Sequence, residues 1–384
     1  MTKTLDLQIV SDREELDSLG REWNACLAAS VGEVLHLRHE WFLAGVDCFN
    51  ADSELHVMLV RDGEGGVTAV APLLIARRRY RWVPVRVLGF ADNGQTPFND
   101  FILRKGAERE SLAVLLAAIA AFSHWDLVDL RKIRKGGPLD NAVTAGDILS
   151  GFRRGSKENI DSPYVTIDGD WERFLANRST RFRKNLRNKF NRVRQVGDVC
   201  VRHCPIDSGD HDLLDEMFRV SGRSWKREAG TDLLSNPASQ QFYRRICHSF
   251  GPEDRVMLWV LFKGVQVVAF EFHLQDNGVC YPIRADYDAS FGDLSPGSVL
   301  EYHILKSLFE EGEVREYNSC GHHYSYLLNW SRSTREHENA EVFSRALKMQ
   351  FLYILEYRIL PFLRKLRVNR AVRSVKRWIS YAGA

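Results

Sequence analysis

Apolar residues recur along the chain with two alternating periods, and the alternation predicts a mixed α/β protein. Leu5–Val10 reads as a first strand. Ser11, with Glu14 three positions on, has the form of a capping box. Leu16, Leu19, Trp23 and Leu27 then follow at helical spacing. His39 and Glu40 open a second helix, and residues 55–60 and 67–75 flank the turn Asp62-Gly63-Glu64-Gly65-Gly66 as a hairpin. A strand over 85–90, a helix over 107–122 and a buried strand over 127–130 complete this half. Residues 136–160, with Gly, Pro, Asp and Ser, read as connecting structure.

A second unit starts near Tyr164. After a short helix over 170–175, Ser179 caps a helix whose stripe is Phe182, Leu186, Phe190 and Val193. Its other faces carry Arg181, Arg183, Lys184, Arg187, Lys189, Arg192 and Arg194, and no acid lies between Glu172 and Asp198. A strand over 199–203, helices over 213–225 and 237–250, and a hairpin of 256–262 with 265–275 follow. A strand over 278–283 leads to Ser295-Pro296-Gly297-Ser298. Ser295 suits an N-cap and Pro296 the first helical position. Val299, Leu300, Ile304, Leu305 and Leu308 continue the helix, Gly312 ends it, and 314–320 is a strand. Backbone N–H groups and the helix dipole at such a turn favour an anion, typically a phosphate. The two halves share one order of helices, hairpin, strand, helix and strand, which suggests a structural duplication.

The units divide as residues 1–160 and 161–340, with a helical tail over 341–384 in which Pro361 is expected to interrupt the helix. Over 362–381, Val368, Val372, Val375 and Ile379 share one face, Arg and Lys fill the others, and no acid follows Glu356. Such a tail suits an anionic membrane surface. Packing on its own domain, or contact with RNA, reads the same pattern.

Composition narrows the function classes. A length of 384 residues fits two domains. The net charge of +3 argues against a surface wholly made for nucleic acid. The seven cysteines are scattered without a Cys-x-x-Cys pair, which suggests neither a disulfide framework nor a zinc site. His303 and the adjacent His322 and His323 have no carboxylate at ligand spacing, so no metal is expected. The N-terminus has no apolar signal core, and 111–125 reads as a buried helix, so a cytoplasmic protein, peripheral to the inner face of the membrane through its tail, is the expectation.

Several motifs resemble one family. Glu40-Trp41, Val70-Ala71-Pro72-Leu73-Leu74 and Arg86-Val87-Leu88-Gly89-Phe90 resemble the N-terminal half of CelD-like acetyltransferases. These belong to the GNAT acyltransferase superfamily and are often associated with cellulose or exopolysaccharide synthesis. The basic helix over 181–194 resembles their Arg-rich segment. Leu294-Ser295-Pro296-Gly297, the helix to Glu311-Gly312, and Gly321, Tyr324, Tyr326 and Trp330 resemble their C-terminal signature. The similarity covers roughly residues 5 to 335. It implies two tandem GNAT-like units, an arrangement also seen in FemAB-like aminoacyl transferases. The second unit would hold acetyl-CoA or another acyl-CoA, with Ser295, Gly297, Ser298 and Arg284 as binding residues. Two positions depart from the family. Asn318 stands where an Asp is usual, and Leu327 where a Lys follows the final Tyr.

Acyl transfer from a thioester needs the CoA held, the acceptor deprotonated and the oxyanion stabilised. Candidates for the base are Glu271, Asp286 and Asp288. Glu271, among Ala269, Phe270 and Phe272, reads either as a half-buried base or as a solvent-facing strand position. Asp286 and Asp288 read equally as turn residues bonding their own backbone. The resemblance implies that Tyr324 or Tyr326 protonates the thiolate, and packing with Trp330 is the alternative role for one of them. The expected reaction is direct N- or O-acyl transfer to a sugar, glycan or amine acceptor of the cell envelope. A FemAB-like transferase using aminoacyl-tRNA, with the basic helix on the tRNA, and a degenerate scaffold for glycan synthesis at the membrane are the alternatives.

Overall fold

The computed structural model describes residues 5–30, 34–91, 93–159, 161–320 and 327–364. The first unit runs through β1 (Leu5–Val10), α1 (Arg13–Ser18), α2 (Gly20–Ala28) and α3 (His39–Phe49). Asp12, not Ser11, caps α1, accepting from Glu15 N, because the helix begins one residue later than the capping-box reading. Then come β2 (Glu54–Leu55), β3 (Val57–Asp62), β4 (Val67–Ala71), β5 (Leu73–Tyr80), β6 (Val83–Phe90), β7 (Ile102–Leu103), α4 (Glu108–Ala121) and β8 (Leu127–Arg134). Both arms of the hairpin break, at His56 and at Pro72, which lacks a ladder donor, so each feeds two sheets. The stretch read as connecting structure contains α5 (Pro138–Thr144) and β9 (Arg153–Glu158). β9, Arg-Arg-Gly-Ser-Lys-Glu, has no apolar alternation and is a strand because its backbone completes a sheet.

The second unit comprises β10 (Ser162–Thr166), α6 (Trp171–Ala176), α7 (Thr180–Val196), β11 (Val199–Pro205), α8 (His211–Gly222), α9 (Pro237–Phe250), β12 (Val256–Lys263), β13 (Gln266–Asp276), β14 (Val279–Tyr287), α10 (Pro296–Glu311), β15 (Glu316–Asn318) and β16 (Thr334–Arg335). β17 (His337–Phe343) and α11 (Leu347–Ile354) close the described chain. α11 runs on through a π turn over Leu355–Ile359 to residue 364. Pro361 therefore does not interrupt it; the widened turn just upstream absorbs the missing N–H.

Three sheets result, in the orders β1-β3-β4-β7, β2-β5-β6-β8-β17-β9 and β11-β12-β13-β14-β15-β10-β16. The duplicated order is visible in the pairing. β6 and β8 are parallel and joined through α4, while β14 and β15 are parallel and joined through α10. One strand also crosses from the second unit to the first. β17 returns to lie between β8 and β9 in the first unit's sheet, so the sequence-based boundary at 340 falls inside a strand. The units share one apolar core through α3 and α9, where Trp41 meets Phe242 edge-on at 4.9 Å.

β14 and β15 pair only at Val279–Glu316 and Cys280–Tyr317. Beyond that point β14 continues to Tyr287 without a β15 partner. A cleft of about 570 Å³ occupies the opening and is walled by both units, with Gly94 and Gln95 of the first facing residues 282–287 of the second.

Candidate active site

The mouth of the cleft is the start of α10. Ser295 adopts a left-handed conformation (φ 54°) and makes no side-chain cap, so the expected N-cap hydrogen bond is absent. Its side chain is turned instead toward α7. That helix buries Leu186 and packs Phe182, Phe190 and Val193 on the core around α10, as its stripe predicts. The packing fixes its flank over the turn: Lys189 Nζ donates to Ser298 Oγ at 2.7 Å and Arg192 Nη2 to Ser295 Oγ at 3.3 Å. Burial lowers the Lys189 pKa and the neighbouring Arg192 adds to this. The α10 first turn contains no acid. A Cβ at Gly297 would meet only Tyr287, at 3.8 Å, so the turn is approachable. The equivalent helix of the first unit is opposite in character: α4 has Glu108 and Glu110 in its first turn, and Glu108 accepts from Gly106 N. Of these two helix starts only that of α10 suits an anion.

Deeper in the cleft lies Glu271 on β13. Both faces of this strand are covered, so Glu271 is buried and the solvent-facing reading is not what the structure holds. Glu271 Oε2 lies 3.0 Å from His273 Nε2 and accepts from Tyr317 Oη at 3.3 Å. His273 Nδ1 lies 3.1 Å from Cys280 Sγ. Burial opposes a charge on His273, but Cys280 and Glu271 outweigh it and raise the imidazole pKa to about 10. Behind Glu271 stands Glu301 of α10, which is buried. Burial holds it well above the usual carboxylate range and the Glu271 charge adds to this, against Trp330 and Lys189. The arrangement is a pair of carboxyl groups in which burial and the neighbouring carboxylate raise the pKa of one, Glu301, while the other is anchored by two ring groups.

The remaining expected residues are placed differently. Asp286 lines the cleft but is neutralised: it pairs with Lys226 and accepts from Arg284 Nε at 2.8 Å and Ser221 Oγ at 2.7 Å. Arg284 is held by that carboxylate and by Thr231 O at 2.8 Å, which ties it to the loop after α8. Asp288 caps the turn that follows it, accepting from Ser290 N at 3.0 Å, and is bound by Arg223 Nε at 2.6 Å; it is not among the residues lining the cleft. Tyr324 and Tyr326 lie outside the described residues. His303 packs against Phe190, and among the described residues no cluster fits a metal. Asn318 is buried between strands, accepting from Ser162 Oγ and Cys320 N and donating to Glu316. Leu327 is an apolar wall of the cleft.

Sequence reasoning passed over Glu301, Tyr317 and Lys226. Glu301 had a signal: it stands four residues after Gly297 and four before Leu305, on the apolar stripe of α10.

Residues 180–326 match a family model described as an acetyltransferase (GNAT) domain. No curated protein sequence matches. Among solved structures, FemX superposes with a TM-score of 0.57 at 13% identity, covering 91% of this chain and 99% of its own. A conserved protein of unknown function from Bacteroides thetaiotaomicron VPI-5482 gives 0.53 at 12%, covering 88% and 100%. L-PGS from Bacillus licheniformis gives 0.50 at 14%, covering 90% and 96%. The fold is thus a mixed α/β arrangement of two tandem GNAT-like units followed by a helix, and the GNAT acetyltransferase domain makes the chain an acyltransferase.

Proposed function

We propose that the second unit binds acyl-CoA where β14 and β15 part and transfers the acyl group to an amino or hydroxyl group of a sugar, glycan or similar cell-envelope precursor, as the CelD-like resemblance implies. The observation that carries this reading is the convergence of Lys189 and Arg192 on the Ser295–Ser298 turn, at the mouth of a cleft that leads to Glu271. A CoA phosphate would sit at the α10 start, and Ser295, Gly297 and Ser298 would hold it. Arg284 serves the cleft wall rather than the phosphate.

In this proposal Glu271 is the base. The acceptor nitrogen or oxygen attacks the thioester carbonyl, its proton passes to Glu271, and the carbon–sulfur bond breaks as the new bond forms. Tyr317 and His273 orient the Glu271 carboxylate. Tyr324 or Tyr326 remains the proposed proton donor to the departing thiolate.

The test is calorimetry with acetyl-CoA on the wild type and on Ser298→Glu, which places a like charge in the phosphate turn. Binding by the wild type and its loss in the variant support the reading; absence of binding, or an unaffected variant, removes it. A second reading, use of aminoacyl-tRNA, is favoured by the exposed Arg181, Arg183, Arg187 and Arg194 of α7 and the likeness to FemX. Labelled acetyl-CoA against charged tRNA separates the two.

A further inference from the structure

The helix 347–364 is firmly seated on one side and bare on the other. Met349 and Leu352 pack into a cluster with Val85, Val87, Leu127 and Phe343. Tyr357 Oη donates to Glu341 at 2.8 Å, and Glu356 accepts from Arg81 Nε at 2.8 Å and pairs with Lys157 at 3.4 Å. The opposite side exposes Leu347 (88%), Phe351 (61%), Phe362 (62%), Ile354, Ile359 and Leu363. From Leu347 to Phe362 these recur at three, four or five positions, the longest step falling on the π turn, and Leu363, four positions after Ile359, completes one stripe. The Arg81–Glu356 pair pins the turn between β5 and β6 against this helix, and Trp82 in that turn is 78% exposed.

Cations dominate the charge around the stripe. Arg345, Arg358 and Arg364 are exposed, Lys348 is paired with Asp126 at 2.8 Å, and Glu356, the one acid between Arg345 and Arg364, faces inward to Arg81 and Lys157. A large exposed apolar stripe marks an interaction site. A second copy docking the same face would oppose basic side chains to basic ones. Residues 365–384 are themselves basic and without acids, so they carry the same charge as the rim. A surface that is both apolar and anionic satisfies both features.

We propose that helix 347–364, with Trp82 beside it, docks this protein on an anionic lipid bilayer as a peripheral helix lying in the interface. Among the described residues no helix is long and apolar enough to span a membrane, and none is needed. The docking is independent of the acyl-transfer reading.

The test is flotation of the full chain with vesicles of phosphatidylcholine alone or mixed with phosphatidylglycerol. The expected result is binding to the mixed vesicles that weakens as salt is raised and is about tenfold weaker without phosphatidylglycerol. The double variant Phe351→Glu, Phe362→Glu should lose about tenfold or more in bound fraction, and Trp82→Ala several-fold, with unfolding temperature and acyl-CoA affinity unchanged. Absence of flotation with either vesicle, or equal flotation of the double variant, overturns the proposal. So does a concentration-dependent dimer that the same two substitutions abolish, which would assign the stripe to a second copy.

Discussion

Lys189 and Ser298 stand 109 positions apart in sequence and meet at 2.7 Å, the ammonium donating to the hydroxyl at the start of α10. This contact joins the basic helix α7 to the anion-binding turn and turns two weak local features into one site. An isolated helix start binds few anions, but one overlaid by two cations gains charge-assisted hydrogen bonds.

Removing the cations should therefore weaken acyl-CoA rather than unfold the protein. Lys189→Ala is expected to raise the acyl-CoA Kd about tenfold, the scale of one charge-assisted bond at a half-buried site. Arg192→Ala, whose side chain is exposed, should raise it by no more than about threefold. Calorimetry reads both, and equal affinities in all three proteins would detach α7 from the site.

Glu271→Gln keeps the shape of the side chain and its bond to Tyr317 but removes the proton acceptor. Turnover is expected to fall about 10²- to 10⁴-fold, the usual contribution of a general base. The KM for acyl-CoA should stay near wild type, because the phosphate turn is untouched. Steady-state kinetics separates the two quantities.

Glu301 gives stability a pH dependence with a definite sign. Its pKa is raised in the folded chain, so the folded state binds more protons than the unfolded one, and stability falls as pH rises above the ordinary carboxylate range. Glu301→Gln removes that loss. The variant should melt above wild type at about pH 8 and at the same temperature near about pH 3, where both states hold the proton. Scanning calorimetry at the two values decides it; a variant that melts lower at about pH 8 would show that Glu301 is ionised and paired.

Asn318 is the position where the family resemblance calls for an Asp. Its amide donates to Glu316 Oε1 at 3.2 Å, and Glu316 is in turn bound by Arg335. Asn318→Asp replaces that donor with a buried carboxylate beside the half-buried one of Glu316. It is expected to destabilise the protein by about 1–3 kcal/mol, the cost of a buried group left unsatisfied, and to give no gain in turnover. Denaturant unfolding and a turnover assay check the two parts, and a more active variant would restore the missing acid to the mechanism.

The sequence by itself determined the main helices and strands of each half, the duplication, the cap at Ser179, the α7 stripe and the turn at Ser295–Ser298. These rest on contacts between residues a few positions apart, which spacing records. Tertiary structure alone decided the rest. β9 has no strand pattern and exists because β17 returns across the units to pair with it. Glu271 alternates on its strand as a solvent-facing residue would, and only the covering of both faces buries it against His273 and Tyr317. Asp286 and Asp288 differ little in sequence; the distant Lys226 and Arg223 neutralise them. Burial and ion pairing depend on which elements pack together across tens of residues or more, and side-chain periodicity carries no record of the partner.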